Sequence, residues 1–227
     1  MSLCYHTKTY TNYREKTLIS FEAKSLAASR ALISIMSHLD KVENNILTLK
    51  KGDIANSWSS SKSSKRDICL AAASLTDTYV RQTNPADNTF SVEGLFTCIT
   101  ATTYSIEFEF TPEGLSQLKE AATILFSRYQ LEDFVSMRSR FTLNFVLAHL
   151  SEADTKNVSK LNYSTLRLIN ECEEGYEHKQ AFYRHVVQVA FADLAQLANH
   201  PLTHIAIEQV NPETKRKITT GIETFPA

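Results

Sequence analysis

An α+β fold, mostly helical and duplicated along the chain, is what the sequence predicts, on three observations. Apolar residues recur at helical spacing through most long segments. Each half then closes on extended runs set off by turn residues, and the order of elements in the first half returns in the second. The size agrees, since 227 residues with 43% hydrophobic and 22% charged positions suit two cores of about 100 residues each. The division falls at residues 1–130 and 131–227.

In the first half, ISFEAKSLAASRALISIMSHLD places Leu26, Ile33 and Met36 at helical spacing and predicts a helix over 20–39, capped by Ser20. NNILTLKK gives a short extended run through Ile46 and Leu47. Gly52 and Asp53 open a brief helix, DIANSW, which Trp58 anchors, and SSSKSSK is a polar hinge. From Ser64, the segment SKRDICLAAASLTDTYV spaces Ile68, Ala72, Leu75 and Tyr79 along one helical face. After the turn residues NPADN comes a hairpin, FSVEGLFTCITATTYSIEFEF. Its Tyr104, Ile106, Phe108 and Phe110 alternate with Ser105, Glu107 and Glu109, so one face is buried and one is wet.

Thr111 and Pro112 begin the next helix, a capping hydroxyl followed by proline at the first helical position. Leu115, Leu118, Ala122, Leu125 and Tyr129 line one side of it, and a second helix over 134–150 carries Phe141, Phe145 and Leu147. NYSTLRLINEC reads as a short helix, EEG as a turn, and YEHKQAFYRHVVQVAFADLAQLANH as a long helix with Phe182, Val186, Val189 and Leu197 facing inward. THIAIEQV and KRKITTGIETF form a closing hairpin around Asn211 and Pro212. The helix starts at Ser20 and Asp133 precede the third-helix starts at Ser64 and Tyr176 by 44 and 43 residues. Helix, short helix, helix, hairpin is the winged-helix order, so the expectation is two tandem winged-helix domains.

Composition narrows the function. No window approaches the roughly 20 apolar residues of a membrane span, and the polar start MSLCYHTKTYTNYREK is unlike a signal peptide, which predicts a cytoplasmic protein with no membrane partner. Cys4, Cys69, Cys98 and Cys172 lack C-x-x-C spacing and read as reduced thiols. Glycine-rich phosphate loops, G-x-S-x-G and H-E-x-x-H are missing. Pro201 breaks the helix that would align His200 with His204, and Glu107 and Glu109 fit an exposed strand face. The expectation is therefore no enzyme, no catalytic residue, no metal and no cofactor. Net charge is −1 with pI near 6.7. Residues 1–130 carry 14 basic and 13 acidic groups and residues 131–227 carry 10 and 12, so a DNA-binding face has to come from local clustering.

Three clusters qualify. Gln180, Arg184 and Gln188 recur every four residues on the long C-terminal helix, with Lys179 and Tyr183 beside them. Arg and Gln make bidentate contacts with guanine and adenine edges, although a solvated helix face explains the same composition. Lys215, Arg216 and Lys217 open the last strand, where a wing would grip phosphate or a loop tip would stay soluble. Lys62, Lys65 and Arg66 sit at the hinge and start of the equivalent helix in the first half, a phosphate site or a flexible polar loop.

The combined order of motifs over about residues 17–225 resembles the replication initiators of iteron-containing plasmids. It is carried by LISFEAKSLAASRALISIMSHLD and SSKRDICLAAASLTDTYV, by the middle block EFEFTPEGLSQLKEAATILFSRYQLEDFVSMRSRFTLNFVLAHL, and by TLRLINECEEGYEHKQAFYRHVVQVAFADLAQL with KRKITTGIETF. FTLNFVLAHL departs from the family's leucine-rich linker. The resemblance implies a second unit that reads the major groove of tandem origin repeats, through Lys179, Gln180, Tyr183, Arg184 and Gln188, with Lys215, Arg216 and Lys217 on phosphate. It implies a first unit that dimerises or contacts flanking DNA, dimers that repress their own gene, and monomers that recruit host initiator and helicase. A repressor or partitioning factor on the same scaffold, and a degenerate pair acting as a protein-interaction module, are the alternatives.

Overall fold

The computed structural model describes residues 17–56, 65–86, 89–153, 157–170, 178–197, 199–210 and 217–227. Within them the chain runs β1 (Leu18–Phe21), α1 (Leu26–Met36), β2 (Ile46–Lys50), α2 (Lys51–Asn56), α3 (Lys65–Ala73), β3 (Tyr79–Asn84), β4 (Thr89–Gly94), β5 (Phe96–Ala101), β6 (Ser105–Phe110), α4 (Pro112–Phe126), α5 (Thr142–Glu152), β7 (Ser159–Asn162) and α6 (Tyr163–Ile169). It continues through α7 (Lys179–Phe182), a π-helical stretch Tyr183–Val187, α8 (Gln188–Leu194), β8 (Leu202–Val210) and β9 (Lys217–Pro226). Helix is 43% and strand 32%, so the expected mostly helical balance is corrected. The fold is α+β with three small antiparallel sheets, because short strands that the apolar periodicity does not reveal add to the two expected hairpins.

The duplication is visible in the sheets. The first half runs α1, β2, α2, α3, β5, β6 with strand order β2-β6-β5, and the second runs α5, β7, α6, α7–α8, β8, β9 with order β7-β9-β8. In each, the first strand pairs with the last and the last with the middle one. The first half also inserts the β3–β4 hairpin after its third helix, and this hairpin pairs with β1 in order β1-β3-β4.

Several expected boundaries move. Ser20 lies in β1, and Ser25 caps α1 by accepting from the Ala28 N–H at 3.0 Å. The third helix of the first half ends at Ala73, so Tyr79 falls in β3 rather than on a helical face. The helix expected over 134–150 begins at Thr142, after a 3-10 turn at Leu131–Phe134. Among the described residues, α1 and α3 begin 39 residues apart and α5 and α7 begin 37 apart. The repeat therefore survives with shorter spacing. Helix α4 begins as expected, with Thr111 Oγ1 accepting from the Gly114 N–H at 3.0 Å and Leu115, Leu118, Ala122 and Leu125 buried along it, but it ends at Phe126, so Tyr129, also buried, lies beyond it. Trp58 and the turn at Asn211 and Pro212 lie outside the described residues.

One apolar core runs through both halves, and a seam of buried polar groups joins them. Strand β1 packs on α5. There the Asn144 side chain treats the Phe21 backbone as a strand partner, accepting from its N–H at 2.9 Å and donating to its carbonyl at 3.2 Å. Its Nδ2 also donates to the Ile169 carbonyl at 2.8 Å. Arg81 on β3 pairs with Glu22, stacks on the Phe90 ring at 4.2 Å, and donates through Nη1 to the Leu168 carbonyl at 3.0 Å. Arg140 reaches the Ala23 carbonyl at 3.1 Å.

His149, 1% exposed near the end of α5, meets Ser159 Oγ on β7 through Nδ1 at 3.0 Å. Burial, with a smaller contribution from the Arg128 charge, lowers its pKa from 6.5 to about 4. A depressed folded-state pKa means stability that is complete above the unfolded value and lost as pH falls. Between pH 7 and 4 this one group is expected to cost about 3 kcal/mol. Urea melts at the two pH values should differ by about that much less in His149→Gln than in the parent protein.

Candidate nucleic-acid interface

Helices α7 and α8 form one continuous rod because the π-helical turn between them keeps the axis while adding a residue to the turn. Phe182, Val186, Val187, Ala190, Phe191 and Leu194 pack inward, each 4% exposed or less. Phe182 meets Tyr163 edge-on at 5.1 Å and Phe191 meets Phe145 at 5.3 Å. The Tyr163 hydroxyl donates to the Lys179 carbonyl at 2.5 Å, which holds the first turn against α6.

The rotation of the rod is fixed by Asp193, 7% exposed on α8. Its Oδ2 accepts from the Arg138 and Ser139 N–H groups at 2.8 and 2.6 Å and from Thr142 Oγ1 at 2.9 Å. A carboxylate in the last turn of its own helix is opposed by that helix's dipole, yet here it also lies at the N-terminus of α5, where negative charge is favoured. Helix α5 has no cap from its own N-cap residue, Phe141. The carboxylate from α8 supplies acceptors that the local sequence lacks.

With that rotation set, Lys179, Gln180, Arg184 and Gln188 are all exposed, and the four-residue stripe stays on one side of the rod. Tyr183 is placed differently. Burial raises its pKa and lowers that of His204, and the Tyr183 hydroxyl is hydrogen-bonded to His204 Nε2 at 2.9 Å. The His204 ring in turn lies 4.1 Å from the Phe191 ring. Tyr183 thus ties the rod to β8, with its hydroxyl already engaged. Val189, expected inward, is 42% exposed. The π turn is the cause: it buries Val186 and Val187 together and rotates the succeeding turn outward.

Lys217 stands at the start of β9 with its Nζ 3.1 Å from Glu208 Oε2, both side chains well exposed. Such a surface pair is worth about 0–1 kcal/mol, weak enough to yield to a phosphate. Lys215, Arg216 and Lys62 lie outside the described residues, and Lys65 and Arg66 are the first two positions of α3. Gly221 marks where β7 crosses closest to the hairpin. A Cβ there would clash with the Leu161 carbonyl oxygen, so the β7–β9 contact that seats the hairpin needs glycine. Among the described residues no group of three or more His, Cys, Asp or Glu could hold a metal ion. No described helix is long and apolar enough to cross a membrane.

Two solved structures share this arrangement along nearly the whole chain. A crystal structure of domains 2 and 3 of RctB superposes with a TM-score of 0.54 at 9% identity, covering 95% of this chain and 93% of that one. A second RctB domain 2–3 structure gives 0.50 at 10%, covering 92% and 86%. The chain has the fold of RctB domains 2 and 3. RctB is a Vibrio chromosome replication initiator; at 9% and 10% identity the likeness shows the fold, and the expected iteron-plasmid family is not confirmed. No protein-family model matches the chain, and no curated protein sequence does.

The sequence did not point to Asp193, offered His204 only as a neighbour of His200, and placed Val189 in the core. The first two carry a polar signal but no spacing that pairs them with their partners, which lie 51 and 21 residues away.

Proposed function

We propose that this chain is a plasmid-type replication initiator made of two winged-helix units, and that its second unit reads duplex DNA with the face of α7–α8. The observation that carries the reading is the exposed stripe Lys179, Gln180, Arg184 and Gln188, on the third helix of a unit whose β8–β9 hairpin lies beside it. A helix fits the major groove, and Arg and Gln match guanine and adenine edges there. The likeness to RctB supports an initiator-like role. On this reading Lys215, Arg216 and Lys217 grip flanking phosphate, Lys62, Lys65 and Arg66 assist from the first unit, and tandem origin repeats are the target. Host initiator and helicase are the partners of the monomer.

The same proposal gives the first unit a dimer contact through residues 1–110. Strand β4 is a sheet edge with every residue at least partly exposed, including Phe90 and Val92, and an unpaired edge invites another chain. Dimers formed there would repress the chain's own gene.

Selection from a randomised duplex pool at low salt tests the reading. Enrichment of one motif is the expected result. Binding without enrichment leaves a DNA-binding protein that does not read sequence. The absence of any binding would reject the proposal and favour the protein-interaction module, which the net charge of −1 permits.

A further inference from the structure

Val189 is the one large apolar side chain that the rod turns outward among its polar residues, 42% exposed where helical repetition from Phe182 and Val186 would bury it. Its exposure results from the π turn Tyr183–Val187, which places Val186 and Val187 both at 0% exposure and leaves Ala190, Phe191 and Leu194 to continue the core. Val189 therefore shares the outer side of the rod with Arg184 and Gln188. Its exposed neighbours one turn on either side are Ala192, which is small, and His185. A β-branched side chain in a helix holds essentially one rotamer, which presents its methyl groups in a fixed direction.

Thymine is the base that shows an apolar group, its C5-methyl, in the major groove. Arginine and glutamine on this face have guanine and adenine as natural counterparts, and valine has thymine. We infer that Val189 is a specificity-determining residue that packs against the 5-methyl group of a thymine, an inference that rests on the DNA-reading proposal above.

The test uses the full chain and the duplex motif selected by it, with each thymine replaced in turn by deoxyuridine, which removes the methyl group and keeps the base pair. Loss of one buried methyl corresponds to about a fourfold change in affinity. The expected result is one thymine whose replacement weakens wild-type binding by about that factor, and has no effect on Val189→Ala. Val189→Thr, close in shape to valine, should behave as the alanine variant does if its hydroxyl faces the methyl group. It should match the wild type if a methyl does, and either outcome supports the contact. Thermal melts confirm that the variants fold. A flat deoxyuridine series, a selected motif without thymine, or equal sensitivity of wild type and Val189→Ala would overturn the inference while leaving DNA reading intact. Failure of the wild type to bind any duplex would overturn both.

Discussion

Asp193→Ala is expected to destabilise the protein by about 3–5 kcal/mol, the range for removing one partner from a buried charge cluster. The substitution leaves the Arg138 and Ser139 N–H groups and the Thr142 hydroxyl without the acceptor they share. Each unmet buried donor costs about 1–3 kcal/mol. Partial burial lowers the pKa of Arg30, and the Asp193 charge opposes that, so the variant also takes a countercharge from a partly buried guanidinium. Asp193→Asn keeps an acceptor and loses only the charge, and should recover roughly half of the loss. Urea denaturation of both variants checks this, and equal loss from Ala and Asn would show that charge rather than hydrogen bonding matters. The effect bears on function because the same residue sets the rotation of the rod, so Asp193→Asn should also weaken DNA binding beyond what its stability explains.

Asn144→Ala should cost about 2–5 kcal/mol and loosen the two halves from each other. Three backbone groups, two at Phe21 and one at Ile169, lose their partner in a site only 4% exposed. Because this side chain bonds the backbones of both β1 and α6 to α5, hydrogen exchange at Phe21 should rise more than exchange in the β8–β9 hairpin. Uniform acceleration across the chain would mean that the halves unfold as one unit and that the seam has no local role.

How much of this was legible in the sequence depends on period. Helix α4 shows its apolar face and its cap directly, and the β5–β6 and β8–β9 hairpins follow from alternation and turn residues. Strand β1, LISF, is buried at all four positions and so does not alternate. Strand β7, SKLN, has one apolar residue, and β3 hides Arg81 and Thr83 inside the fold where polarity reads as surface. These three short strands account for the missed share of sheet. The stripe on α7–α8 was legible as spacing. Its true orientation was not, since a π turn has no sequence signature here beyond two adjacent valines, and it moves Val189 from core to surface. Tyr183 reads as a groove residue in sequence because its partner His204 lies on another element.

The most direct test of a reading face on α7–α8 with a phosphate grip at the hairpin is a salt series of fluorescence anisotropy. It compares Arg184→Ala with a triple alanine variant at Lys215, Arg216 and Lys217, on the selected duplex and on a scrambled one. Arg184→Ala should lose about 1–3 kcal/mol on the selected duplex, keep its affinity for the scrambled one, and keep the wild-type salt slope. The triple variant should weaken both duplexes alike and flatten the slope by up to about 0.9 for each phosphate contact removed. Equal loss on both duplexes from Arg184→Ala, with a shallower salt slope, would contradict base reading by this helix and make Arg184 a phosphate contact.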